Sequence, residues 1–301
     1  MKIKKLVFAG MLLISGLTIV SAQIKLSFNP EKGKKYEYQT EMIQNMKQNV
    51  MGQEIPIEIE MNTTYLMEIK DKTPQEIHMK FTYQNLSYII SSPMMKMEYD
   101  SKNPNENPSE MEQMFAKMFN NLINESFMLV VAPDGSVKSV TGMDAIFENM
   151  IKAISDNGQV ASQMGASMRQ QFSDNAMKNT FEQSFKFYPA NAVKVGDSWN
   201  IESSVTVMNM SVSTNTKYTL KGVTKNVATI AVESDIEMNA SVEMEGKLSG
   251  TQTGTTIVDT RTGMPVTGDM SQNMKGVLKV QGMDVQMELA TKMKTSTKEV
   301  K

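Results

Sequence analysis

The sequence predicts an α+β protein: long, curved antiparallel β-sheet in two similar halves, with a central helical segment packed on the sheet. Three observations carry this. Apolar and polar residues alternate strictly over long stretches, most clearly from Ile230 to Leu248. Two regions switch to helical spacing, around Met111–Ile123 and within Met143–Phe185. A glycine turn followed by an aromatic that starts a strand occurs twice, as Gly33-Lys34-Lys35-Tyr36 and Gly196-Asp197-Ser198-Trp199.

In chain order, Lys2, Lys4 and Lys5 precede an apolar run from Leu6 to Val20, and Val20-Ser21-Ala22 places small residues before Gln23. This is the pattern of a secretory signal peptide over residues 1–22, and its apolar run is short for a membrane span. The mature chain is therefore expected outside the cytoplasm, periplasmic or secreted, with no transmembrane segment. Tyr36, Tyr38, Thr40, Met42 and Gln44 alternate toward Val50; Met51-Gly52-Gln53 is the turn, and Ile55, Ile57, Ile59 and Met61 alternate on the return. Pro56 marks an edge position or a bulge, because proline cannot donate to a ladder. After a polar turn at 70–75, Ile77, Met79, Phe81 and Tyr83 form one dry face, with His78 on the other.

Ser101–Ser109 is a loop by composition. Ser109 caps the helix that follows, Glu110 and Glu112 favour its first turn, and Met111, Met114, Phe115, Met118, Phe119, Leu122 and Ile123 make its apolar stripe. Phe127–Val131, Pro133-Asp134-Gly135 and Val137–Val140 read as strand, turn and strand. Met143–Phe185 is helical with breaks near Asn157-Gly158 and Ser173-Asp174. The rest is β: a strand or hairpin from Met208 to Leu220, one uninterrupted curved strand over Ile230–Leu248, a loop at Asp259–Gly263, and strands flanking Gln281-Gly282. These divide the mature chain into a β-rich half (23–142), a helical segment (143–186) and a second β-rich half (187–301). The halves match in pattern and order: Thr64–Ile69 with Lys217–Gly222, and Ala132–Val137 with Asp259–Met264.

Gly-x-x-Tyr, Pro133-Asp134-Gly135-Ser136-Val137 and Tyr188 through Val195-Gly196-Asp197-Ser198-Trp199, together with the signal peptide, resemble a family of exported Gram-negative proteins known only as a domain of unknown function. That resemblance implies no catalytic residues. The architecture is also remotely similar to the half-barrels of periplasmic lipoprotein carriers, a likeness of shape that does not imply function.

Cysteine is absent, which excludes disulfides, thiolate catalysis and thiolate metal sites. A net charge of −2 gives no reason to seek nucleic acid. A lone histidine without GxSxG leaves nucleophilic hydrolysis unsupported, and nucleotide-cradling glycine motifs are missing. Glu233, Asp235, Glu237, Glu243 and Glu245 share one wet strand face, a solvated surface that discourages edge pairing. No cofactor and no catalytic residue is predicted. The 30 methionines are the unusual feature. Methionine is flexible and polarizable, and suits surfaces that accept varied apolar partners as well as ordinary cores. The reading is a non-enzymatic binding module whose concave sheet takes an apolar ligand, a lipid or lipoprotein-like molecule, against Met208, Met210, Tyr218, Met238, Met244, Met283 and Met287. The alternatives are an envelope module that contacts another protein, and Cu(I) handling by the thioethers of Met94-Met95-Lys96-Met97 and Met208-Asn209-Met210. N-terminal sequencing of the exported protein should begin at Gln23; a chain beginning at Met1 would overturn the signal-peptide assignment.

Overall fold

The computed structural model describes residues 23–154, 165, 173–207, 210–240, 245–280 and 282–301. The signal segment 1–22 and the helical break near Asn157-Gly158 lie outside the described residues. Strands β1 (Lys35–Val50) and β2 (Gln53–Lys72) are joined through Met51 (φ 53°) and Gly52 (φ 84°), the paired positive φ values of a tight hairpin turn. Strands β3 (Ile77–Ser92) and β4 (Met95–Asp100) lead to α1 (Glu110–Asn120), which Ser109 and Glu112 start with a reciprocal capping box. Strands β5 (Ser126–Val131) and β6 (Val137–Thr141) precede helices α2 (Met143–Lys152) and α3 (Asp174–Phe185), the latter capped by Ser173. The remaining strands are β7 (Ser198–Val207), β8 (Met210–Thr224), β9 (Val227–Ala240), β10 (Gly246–Asp259), β11 (Pro265–Val280) and β12 (Met283–Val300).

All twelve strands form one antiparallel sheet in the order β6-β5-β3-β2-β1-β12-β11-β10-β9-β8-β7, with β4 beside β3. Pro56 lies on a central strand, opposite Lys47 of β1. Pairing of β2 with β3 begins only at Glu58, so the edge expected of a proline is present locally.

The single curved strand expected over Ile230–Leu248 is instead the hairpin β9–β10, in which Asn239 lies opposite Lys247 and Met238 opposite Leu248. Met238 and Leu248 are separated by an odd number of residues and share one face. The alternation therefore keeps its parity from β9 into β10, and parity cannot distinguish the hairpin from a continuous strand.

Helix α3 packs against both β6 and β7, the two ends of the sheet path. Its Phe181 ring sits 5.9 Å from Phe81 and 5.3 Å from Phe127, on the face that carries the apolar alternation. An open sheet whose two ends meet one helix is curled around that face, which is its interior.

At the base of the curl two leader segments interlock: Phe28-Asn29-Pro30 before β1 and Phe187-Tyr188-Pro189 before β7. Ile24 bridges Val193, the Phe28 amide donates to the Pro133 carbonyl (2.8 Å), and the Asn29 amide donates to the Thr262 carbonyl (2.7 Å). The Tyr188 hydroxyl donates to the Gly263 carbonyl at 2.8 Å. Gly135 and Gly263, at positive φ in the β5–β6 and β10–β11 turns, are so closely covered that a Cβ would overlap the Phe185 and Ser27 carbonyls respectively. Leu26 and Phe28 are fully buried there.

The two halves repeat in hydrogen bonding. The Gly33 amide donates to Ile69 O (2.8 Å) and the Ile69 amide to Lys34 O (2.9 Å); likewise Gly196 donates to Leu220 O (2.8 Å) and Leu220 to Asp197 O (3.0 Å). Each pair is followed by a bulge, at Ile69/Asp71 and Leu220/Gly222, and the later hairpins carry bulges at Val130/Val131 and Ile257/Val258. Ile69 therefore corresponds to Leu220, two residues from the match expected of Thr64–Ile69 with Lys217–Gly222. A period-two pattern is unchanged by a two-residue slip, so alternation alone cannot set this register.

Strands β10 and β11 approach unusually closely. A Cβ on Gly250 or Gly254 would overlap the backbone carbonyl of Asn273 or Asp269, and opposite these glycines lie Met274 and Met270. Gly250→Ala should cost about 1–3 kcal/mol in urea unfolding, the usual range for overpacking. Gly222→Ala, with open space at its Cβ, should stay within about 0.5 kcal/mol. Burial pushes Tyr38, Tyr83 and Tyr218 up to about 12. The folded state thus holds protons that the unfolded chain releases near pH ~10. Stability should be intact below that pH and fall between about 10 and 12, tracked by tyrosinate absorbance together with circular dichroism. Tyrosinate formation complete near pH ~10 without unfolding would contradict this burial.

Candidate functional site

The interior is divided into a lower and an upper part. The lower part is a single large core containing Phe28, Phe81, Phe127, Leu220 and Ile230, and residues of the three described helices pack into it. The upper part, nearer the hairpin ends, has a separate cluster of Ile236, Leu248, Met274 and Leu278, with Met210, Val212, Met238, Met287 and Leu289 half-buried against it. The main helix contacts are those of α1 with β4, α2 with β5, and α3 with β6 and β7, so this cluster on β9–β11 lies away from them.

Register places whole rows of side chains across the interior. Met61, Met42, Met293 and Met270 are successive neighbours on β2, β1, β12 and β11. One step toward the hairpin ends, Gln44, Thr291, Gln272, Gln252, Ser234 and Thr216 are successive neighbours on β1, β12, β11, β10, β9 and β8. The next row returns to apolar character with Ile57, Met46, Leu289, Met274 and, past Gly250, Ile236. The polar row is partly self-satisfied. Ser234 and Thr216 hydroxyls are 2.8 Å apart, and Gln44 Nε2 donates to Thr291 Oγ1 at 3.2 Å.

Of the residues proposed from sequence, Met210, Met238 and Met287 come together around the upper cluster. Met283 shares their face but stands at the hairpin end, 37% exposed. Tyr218 belongs to the lower core, stacked on Trp199 at 5.7 Å, and burial raises its pKa. Met208 and Met244 lie outside the described residues. The sequence reading missed Leu248 and Leu289, which share the alternation but were passed over in favour of methionine, and Met274, which it read only as the start of a strand. It also missed the polar row, which becomes a row only when six strands are in register.

Two other concavities flank the sheet. One of about 430 Å³ lies on the outer face, lined by Gln39, Glu41, Ile257, Asp269 and Lys294. Another of about 390 Å³ lies at the base beside Glu31, Lys34, Arg261 and Glu299. In the latter, Lys34 Nζ meets Glu299 at 2.6 Å, and Arg261 forks onto Asp259, whose carboxyl it holds below the usual range. Its cations are therefore already engaged. His78 lies on the outer face, 3.3 Å from Glu76. Among the described residues no cluster of histidine, aspartate and glutamate is arranged to hold a metal. In Met94-Met95-Lys96-Met97, Met97 is buried while Met94 is 81% exposed, so these thioethers do not converge. Glu233, Asp235 and Glu237 are exposed on the outer face as expected.

A family of unknown function, DUF6263, has a model that matches residues 74–265. No curated protein matches the chain. Among solved structures the chain is similar to lipovitellin, in a structure concerned with lipid–protein interactions, at 10% identity and TM-score 0.45; it covers 87% of this chain and 25% of that one. It is also similar to Pseudomonas aeruginosa OccK7 (OpdD), at 6% identity and TM-score 0.24 over 89% and 100% of the two chains. A DUF1329 protein from Desulfovibrio piger aligns at 11% identity and TM-score 0.13 over 86% and 83%. The chain thus spans a quarter of the lipovitellin chain's length, and no helix among its described residues is long and apolar enough to cross a membrane.

Proposed function

The chain belongs to DUF6263, a family of unknown function, and we propose that it is an exported, non-catalytic protein that carries an apolar molecule on the inner face of its curled sheet. The observation that carries this reading is the second apolar cluster. Ile236, Leu248, Met274 and Leu278 form a buried apolar cluster of their own, fringed by half-buried methionines and set apart from the described helices that cover the lower core. Half-buried methionines are suited to such a place, because an unbranched thioether chain repacks around guests of different shape at small cost.

A second reading, contact with an envelope protein, draws on the hairpin ends. Met51 is 85% exposed and Met94 81% exposed at turns that point the same way. Met51 holds a positive φ that methionine seldom adopts. These tips stand at the mouth of the same interior, so a partner seated there would meet the carrier's opening.

Protein purified without detergent should release an apolar molecule to organic solvent, detected by lipid mass spectrometry. The stripped protein should take up the neutral fluorophore 1-N-phenylnaphthylamine. Replacing Met238 and Met287 together by Asn should weaken uptake about tenfold, as expected when two apolar contacts are lost, while Glu233→Gln on the outer face should leave it unchanged. Uptake indifferent to the methionine pair would remove this reading.

A further inference from the structure

We propose that the guest is a single-chain amphiphile with an uncharged, hydrogen-bonding head, whose head group meets the polar row of Gln44, Thr291, Gln272, Gln252, Ser234 and Thr216. This rests on the inner face being the binding surface and specifies what that surface selects.

Three observations lead to it. The first is placement. Six adjacent strands each put a polar residue at the same height, with apolar rows below and above. A sheet interior built only to be a core would bury less polar surface with leucine or valine at these positions, since each polar group removed from water requires a partner.

The second is unspent hydrogen-bonding capacity at the centre of the row. At its ends Thr216 bonds Ser234, and Gln44 bonds Thr291. At its centre, Gln272 Nε2 has, among the described residues, only the Met274 thioether at 2.8 Å, a weak acceptor. Gln252, directly opposite Gln272, makes no side-chain hydrogen bond among the described residues. Both side chains are half-buried and each offers one carbonyl oxygen and two N–H donors. A hydroxyl, an ester carbonyl or an amide is complementary to that pair.

The third is charge. Along β1, β2 and β8–β12, the interior positions of the described residues carry no charge from the hairpin ends down to the base, where Lys72 at the end of β2, opposite Ile77, and Glu299 at the lower end of β12 are the first charged ones. A carboxylate or phosphate head at the level of the row would be taken from water without a counter-charge, which is strongly unfavourable. Above the row, Leu289, Met287 and Val285 extend the apolar surface from Thr291 by six residues, roughly 20 Å of strand. An acyl chain that fills one leaflet of a bilayer is about 15 Å long, half the ~30 Å hydrocarbon core. One chain therefore fits between the row and the hairpin ends.

The test is competition for bound 1-N-phenylnaphthylamine by three probes of equal chain length: 1-oleoylglycerol, oleate and octadecene. For the full-length mature protein, 1-oleoylglycerol should compete about tenfold better than the other two, the value of one or two well-made hydrogen bonds. Gln252→Leu/Gln272→Leu should bring the three within about threefold of each other while fluorophore binding and circular dichroism are retained. Glu233→Gln/Glu237→Gln, on the outer face and outside the row, should keep the preference. Equal competition by oleate in the wild type, or an unchanged preference in the glutamine double variant, would overturn the assignment while leaving the apolar groove standing. Failure of the fluorophore itself to bind would remove the groove and this inference together.

Discussion

The interlock at the base of the sheet is the constraint on which the rest depends. Long antiparallel strands pair edge to edge, but pairing alone does not bring the first and last strands of a twelve-stranded path near one another. Here they are held by two groups of aromatic contacts joined through helix α3. Phe181 meets Phe81 and Phe127 on one flank, and Phe185 meets Phe28 at 5.3 Å. Phe28 meets Tyr188, which leads through Phe187 to Tyr218 and Trp199 on the other flank. Each such pair adds about 0.5–1.5 kcal/mol beyond the area it buries. The Trp199 indole and the Tyr188 hydroxyl fix the second group to backbone carbonyls of Phe187 and Gly263. Because the closure lies at one end, the described helices fill the lower interior, and the upper interior keeps an apolar cluster of its own.

That closure also explains why the two halves are reciprocal. The leader before β1 reaches the β10–β11 turn through Asn29 and the β5–β6 turn through Phe28, while the stretch around Phe185–Tyr188 covers Gly135 and bonds Gly263. Both leaders carry Phe-x-Pro followed by a glycine turn and an aromatic. Proline stiffens the approach by fixing φ, and the turn glycine lets another chain pass directly over it. Strands β1 and β12 then pair along nearly their whole length, and the duplicated unit becomes one sheet.

Much of the fold was legible because alternation reports a face directly: Ile77, Met79, Phe81 and Tyr83 are all buried, and Ser109 caps its helix as its place before Glu110 and Glu112 indicates. What alternation cannot report is register. It gave no sign that β9 ends at Ala240 and β10 begins at Gly246, and it left the match between halves free to slide by two residues at Ile69 and Leu220. The site suffered most from this. Met210, Met238 and Met287 were found by residue type, whereas the glutamines and hydroxyls at positions 44, 291, 272, 252, 234 and 216 have no motif. Each reads in isolation as an ordinary polar interruption, and only cross-strand pairing makes them neighbours.

Charge, rather than apolar content, separates the inside of this sheet from its outside. Near the hairpin ends the outer face holds lysine–glutamate pairs, Lys47 with Glu54, Lys96 with Glu98, Lys247 with Glu237, and Lys279 with Glu245. Exposed pairs of this kind contribute little to stability, about 0–1 kcal/mol each. They do place both signs on the outer surface in near balance, so it offers no net field to draw in an anionic or cationic partner. The interior opposite them is uncharged and carries a row of hydroxyls and amides across six adjacent strands. A molecule that enters from the hairpin ends would leave an evenly charged rim, cross a methionine-lined apolar surface that can reshape around it, and then meet a line of neutral hydrogen-bonding groups. Selection in such a passage would rest on where along a chain the polar group sits. That is a property of amphiphiles, which neither a plain hydrocarbon nor a buried ion shares.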